Sequence, residues 1–175
     1  GATVKKGEDL VIVRDRGSLA VQVKACHGPL RSTDILDVLH KMKMNGRLPF
    51  VLCTDNGSPF CSQVVRDFLE KHQVIHLRSL PYVPQHNGSC ENAVMDVKRQ
   101  LNDGKNIEQT CEILNKCLRR RRHGWKTAEE SETLNFSPNN AERRIEIYET
   151  TKLAIKEALL GMNSGYEKRK AEREA

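Results

Sequence analysis

The chain has 175 residues, 38% of them hydrophobic and 30% charged, which suits one soluble domain with a core of its own, or one domain plus an appendage. No apolar run reaches the roughly 20 residues of a membrane helix, and the N-terminus lacks the basic, then apolar, then small-residue order of a secretory leader. The reading is a soluble, intracellular protein of cytoplasm, nucleoid or nucleus, with no membrane partner. Its formal net charge of +6 favours a polyanionic partner.

Two β-rich segments open the chain in "LVIVRDRGSLAVQVKAC", residues 10 to 26, joined by a turn at Arg16, Gly17 and Ser18. "RSTDILDVLHKMKMNG" predicts a helix, with a Ser/Thr N-cap, apolar residues at 35, 36, 38, 39 and 42, and a stop at Gly46. "FVLCT" reads as a short buried strand ending at Asp55, "SQVVRDFLEKHQ" as a second amphipathic helix and "VIHLR" as a further strand. After the loop "SLPYVPQHNGS", the stripe at 94, 97 and 101 predicts a helix with Glu91 near its start. Two more helical patterns follow, "NIEQTCEILNKCLRR" and the long "PNNAERRIEIYETTKLAIKEALLGM". In the last, Ala141, Ile145, Tyr148, Lys152, Ile155, Leu159 and Met162 form a heptad-like stripe that could pack on its own domain, the favoured reading, or on a partner subunit. Strands alternating with helices, then helices alone, predict an α/β layered domain with a helical C-terminal extension.

The six cysteines (Cys26, Cys53, Cys61, Cys90, Cys111, Cys117) show no C-x-x-C spacing and read as small hydrophobes rather than zinc ligands. His72 and His76 are four apart, but the Val-Ile pair between them is strand-like, so the pair is not assigned as ligands. Positive charge concentrates in "RRRRHGWK", residues 119 to 126, and in the sign-alternating "EKRKAERE" near the C-terminus, which reads as a solvated helix end.

Alone, "DNG" after a strand is turn chemistry, and Glu91 alone is an acid favoured by the helix macrodipole. Together, with the 35 residues between them, they carry more. "TDNGSPF" at 54 to 60 and "LPYVPQHNGSCEN" at 80 to 92, with Lys98 two helical turns on, resemble the catalytic core of the retroviral integrase and DDE transposase superfamily over residues 3 to about 103. Downstream, "LNKCLRRRRHGWKTAEE" is similar to the segment that closes the core in bacterial insertion-sequence transposases, which tilts the resemblance toward a mobile-element enzyme.

The resemblance implies a ribonuclease H-like fold: a five-stranded mixed sheet flanked by helices, with residues 1–103 as core and 104–175 as the helical remainder. It implies catalytic and metal-binding roles for Asp55 and Glu91, with two magnesium or manganese ions, and DNA contacts from Tyr82, Gln85, Asn87 and Lys98. Hard cations prefer carboxylate oxygens, and two of them suit in-line displacement at phosphorus without a covalent nucleophile. The basic run Arg119, Arg120, Arg121 and Arg122 is expected to touch double-stranded DNA through its phosphates. Active assemblies are expected to be homo-oligomers on DNA.

The same resemblance puts a first aspartate, in a D-x-T context, at Gly1, with Thr3 matching. Three explanations stay open: a truncation that removed the acid, which is favoured, a genuine loss, or a shifted register. Asp15 lies at the hairpin turn and Asp9 begins the wrong strand. The expected function is a polynucleotidyl transferase core for DNA end cleavage and strand transfer, inactive as it stands for want of the first acid. The alternative is a catalytically dead, domesticated core that binds DNA or serves assembly. A ribonuclease acting on hybrids shares fold and ions, but the "PYVPQHNG" loop argues against it.

Overall fold

The computed structural model describes residues 2–5, 8–78, 88–135 and 141–174, with side chains over 9–78, 88–134 and 141–161 except 159. Tyr82, Gln85 and Asn87, and the position of Gly1, lie outside the described residues.

Strands β1 (Ala2–Lys5), β2 (Glu8–Arg14) and β3 (Val21–Ala25) form an antiparallel sheet in that order. Thr3 pairs with Asp9, and β2 and β3 run in continuous register from Leu10 opposite Ala25 to Arg14 opposite Val21. Asp15 builds the hairpin turn. Its Oδ2 accepts from Ser18 N at 2.6 Å and Ser18 Oγ at 2.8 Å, as an Asx turn does. Strands β4 (Val51–Thr54) and β5 (Ile75–Arg78) pair in parallel, Val51 opposite Ile75 and Thr54 opposite Arg78. Helix α2 (Gln63–Lys71) makes the crossover that a parallel pair requires. The expected single five-stranded mixed sheet is thus divided: antiparallel and parallel pairings are both present, in two small sheets, and among the described residues no ladder joins β1 to β4.

Helix α1 (Ser32–Met44) buries Ile35, Val38, Leu39 and Met42, and stops at Gly46, whose φ of 65° a side chain would resist. Its expected Ser/Thr cap is displaced: Arg31 is the N-cap, and Asp34 Oδ2 accepts from Arg31 N at 3.1 Å. Helix α3 (Gly88–Asn102) buries Ala93 and Val97 completely and leaves Val94 half-buried, one position from the expected centre of the stripe.

The apolar run of β2 is explained by layering. Val11 and Val13 pack with α1 and α2, in the cluster containing Ile35, Leu39, Val65 and Phe68. Leu10 and Ile12 pack with Val21, Ala93, Val97 and Leu114. Successive residues face opposite sides, so a strand covered on both faces loses its polar alternation.

The pattern expected as one helix over "NIEQTCEILNKCLRR" is broken. Helix α4 (Ile107–Glu112) is capped by Asn106, passes into a π turn over Ile113–Cys117 and ends by Leu118. Helix α5 (Ala128–Asn135) is absent from the sequence reading. Helix α6 (Ala141–Glu174) continues beyond the expected end at Met162. Its docked face is Arg144, Ile147, Tyr148 and Thr151, while Ile145 of the expected stripe is 48% exposed. Packing against β5 near His76 and Arg78 involves Tyr148, Lys152 and Ile155, so the stripe faces its own domain in part. No helix among the described residues is long and apolar enough to cross a membrane.

Candidate metal and nucleic-acid site

At the end of β4, Thr54 is buried and its Oγ1 donates to Asp55 O at 2.9 Å. The same hydroxyl lies 2.7 Å from His76 Nε2 on β5. A hydroxyl has one proton to give, so this network assigns His76 the Nε2–H form, donating to Thr54. His76 has its pKa lowered by burial and then by the nearby Arg78 and Arg66, which favours that neutral ring. It faces Thr54 from β5 while His72 caps α2 beside Phe68, so the two histidines share no site.

Asp55 is exposed where β4 leaves the sheet. Its Oδ1 accepts from Gly57 N at 2.9 Å, the turn chemistry that "DNG" suggests, and Oδ2 has no partner among the described residues. A Cβ on Gly57 would sit 2.9 Å from that same Oδ1, so the residue after Asn56 has to be small for the carboxylate to hold this position.

Glu91 is exposed in the first turn of α3, and Lys98, seven residues on, is exposed on the same helix face. The start of α3 is tied to β2 by Arg14, whose Nη1 donates to Ser89 O at 3.0 Å. The Cys90 thiol is pushed up, mainly by burial and also by Cys53.

The exposed carboxylates of Asp55 and Glu91 are each of the kind that suits a hard divalent ion keeping water and phosphate oxygens in its remaining positions. Among the described residues no three of His, Cys, Asp and Glu assemble into an ion-holding cluster, so the expected two-ion set is not assembled by them.

The four-arginine run is not one patch. Arg119 Nη1 donates to Trp125 O at 3.0 Å, and its guanidinium pairs with Glu130 at 3.4 Å. Arg120 turns inward to Asp96 of α3 at 3.3 Å. Arg121 and Arg122 are exposed with no partner among the described residues, and Trp125 beside them is 63% exposed. Asp96 also meets Arg14 Nη2 at 4.0 Å, so it sits between two guanidiniums. Arg14 escaped the sequence reading. The signal was a charge closing the apolar run "LVIVR", read there only as the strand's end.

No family model matches the chain. It is 35% identical over 68 residues to the Gag-Pro-Pol polyprotein of squirrel monkey retrovirus, a match covering 39% of this chain and 4% of that protein. It is 31% identical over 80 residues, 46% of the chain, to an IgE-binding protein of Mus musculus, of which the match covers 14%. The chain therefore spans only a small part of these curated relatives. Among solved structures, the catalytic core domain of BIV integrase superposes with a TM-score of 0.56 at 19% identity, covering 69% of this chain and 82% of that one. The HTLV-2 integrase catalytic core in complex with magnesium, dimeric form, gives 0.51 at 20% identity over 71% of this chain and 90% of that one. A simian T-cell lymphotropic virus intasome chain gives 0.61 at 20% identity over 74% and 49%. The fold is that of the retroviral integrase catalytic core. Within that integrase-core fold, Asp55 follows β4 and Glu91 lies in the first turn of α3.

Proposed function

We propose that the chain is the catalytic core of a metal-dependent polynucleotidyl transferase that cleaves DNA ends and joins them to a target. The observation that carries the reading is the integrase-core fold together with an exposed carboxylate at the end of β4 and another in the first turn of α3. The carboxylates of Asp55 and Glu91 would hold magnesium or manganese, which when bound supplies positive charge against phosphate oxygens. The HTLV-2 core described with magnesium supports that choice of ion, and its dimeric and trimeric forms support a homo-oligomer.

The chain's own residues do the positioning. Lys98 follows Glu91 along α3 and suits a phosphate contact. Arg121 and Arg122 suit the sequence-independent grip on double-stranded DNA, with Trp125 able to stack on a base. Tyr82, Gln85 and Asn87 belong to the same proposal through the motif "LPYVPQHNGSCEN" that the resemblance rests on. The similarity of "LNKCLRRRRHGWKTAEE" to insertion-sequence transposases supports a mobile-element source.

The reading requires a further acid, and position 1 is where the resemblance puts it. The second reading, a DNA-binding or assembly module without chemistry, draws on the lack of a three-residue cluster among the described residues. The native residue at position 1 separates the two: aspartate supports the enzyme, glycine the binder. The direct test uses the full-length protein with aspartate at that position, and Asp55→Asn and Glu91→Gln singly and together. Manganese-dependent joining of labelled oligonucleotide ends is expected to fall at least about a hundredfold, since partners one shell further out already cost 10–100-fold. Joining at the normal rate by the double variant would overturn the assignment.

A further inference from the structure

Against α3 the molecule carries a cleft of about 450 Å³ whose lining includes Arg14, Arg99, Arg120 and Arg122 together with Asp96 and Asn92. Four arginines and one carboxylate line it, with Arg14 and Arg120 both meeting Asp96. The Arg14 side chain is only 3% exposed and that of Arg120 18%. Both have a buried Nε–H with no acceptor among the described residues. Buried donors are paired as a rule, and an unpaired one costs about 1–3 kcal/mol. Guanidinium does not relieve crowding by giving up its proton.

The electrostatics agree with the geometry. Arg14 is pushed down from the ordinary arginine range first by burial and then by Arg120, with Asp96 opposing and Arg122 adding to the repulsion. Asp96 offsets one positive charge and leaves the others facing each other. An anion with several acceptor oxygens would satisfy the cluster, and planar guanidinium forks match phosphate oxygens two at a time.

We propose that this cleft is a phosphate-binding subsite, built by Arg14 and Arg120 from below and Arg99 and Arg122 from the rim, that takes a backbone phosphate of a nucleic-acid strand. The assignment to a strand rests on the transferase reading above; the affinity for phosphate does not. Asn92, which lines the cleft, directly follows Glu91 in α3. Arg120 then has two partners to choose between, Asp96 and the phosphate.

The test uses the whole chain and inorganic phosphate, followed through the Nε–H resonances of Arg14 and Arg120, then a short duplex whose affinity is measured against salt. Arg99→Ala and Arg122→Ala alter exposed residues and keep the fold. Each is expected to weaken phosphate about tenfold, the scale of one charge-assisted bond. Arg122→Ala is also expected to lower the slope of log affinity against log salt by about one. Unchanged phosphate titrations in both variants overturn the subsite. A phosphate response without any change in salt slope overturns the strand as its ligand and leaves free phosphate. If Asp55→Asn keeps full strand transfer while Arg122→Ala loses phosphate, the transferase reading fails and the subsite stands.

Discussion

Asn115 Oδ1 accepts from Val21 N at 2.8 Å, and Asn115 Nδ2 donates to Val21 O at 2.9 Å. One side-chain amide thus completes both backbone groups of the residue that starts β3, across 94 residues of sequence. The π turn over Ile113–Cys117 is where that amide sits, and the same turn buries Leu114 under Val21. The extra residue in the turn lets an apolar and a polar neighbour both reach the sheet edge.

Replacing Asn115 by Leu leaves the two Val21 groups without partners in a partly buried place. We expect a loss of about 1–3 kcal/mol, seen as a lower urea midpoint with an unchanged m-value. An Asn115→Leu protein with the parental midpoint would show that water replaces the amide at no cost.

Arg144 performs a similar task for α6. Its Nη1 donates to Pro49 O at 2.9 Å and to Gln73 O at 3.4 Å, its Nη2 donates to Leu48 O, and its guanidinium lies 4.7 Å over the Phe50 ring. Burial pushes its pKa down, yet the three carbonyls keep the charge solvated. Arg144→Met keeps the alkyl packing and removes those bonds, so we expect about 2–4 kcal/mol of lost stability, from bonds to a charged group at about 1.5–3 kcal/mol. Amide exchange along Ile145–Lys152 should accelerate before that of α1 does. Equal acceleration in both helices would mean that α6 is not separately docked by Arg144.

Much of this arrangement was legible in the sequence wherever one face of an element carries the apolar residues. Ile35, Val38, Leu39 and Met42 gave α1, and the turn at Arg16, Gly17 and Ser18 gave the hairpin. Helix α5 has no such stripe and was missed. Its signature was local: Thr127 N donates to Glu130 Oε2 at 2.8 Å and Glu130 N donates to Thr127 Oγ1 at 3.2 Å, a capping box visible as T-x-x-E. The basic run misled because charge was counted along the chain. Its division depends on Glu130, 11 residues from Arg119, and on Asp96, 24 residues before Arg120, which only the fold brings into contact. For the site, Asp55 and Glu91 were named from motifs, while the arginine cleft needs β2, α3 and the 120s together.

His76 supplies a pH dependence. Its folded pKa lies below the ordinary 6.5, from burial first and then Arg78 and Arg66, so the unfolded chain binds its proton first as pH falls. The stabilisation is complete above about 6.5 and is lost as pH drops through the interval down to the folded value. His72 is shifted the same way, by burial and then Lys43 and Lys71, and contributes to the same window. His76→Gln keeps a donor for Thr54 without the titration, so the fall in stability between pH 7.5 and 5 should shrink and leave the His72 part. An unaltered pH profile in that variant would remove His76 from the account.

Gly57→Ala probes the Asp55 turn without replacing the carboxylate. The added Cβ would lie 2.9 Å from Asp55 Oδ1, inside any real contact distance, and 3.5 Å from the Phe60 ring, an ordinary one. The atom in the way is the tip of an exposed side chain, so Asp55 can rotate aside and the fold need not yield. Rotation gives up the bond from Gly57 N at 2.9 Å, a loss of about 0.5–1.5 kcal/mol offset in part by the lower entropy of the unfolded chain. We therefore expect thermal stability within about 1 kcal/mol of the parent. If Asp55 is the metal ligand proposed above, manganese affinity, measured by titration on the full-length protein, is expected to fall about tenfold or more, because its carboxylate is displaced from the position the turn sets. Parental affinity in Gly57→Ala would mean that the turn-held position of the Asp55 carboxylate does not set metal affinity. A large stability loss would instead assign Gly57 to the fold rather than to the site.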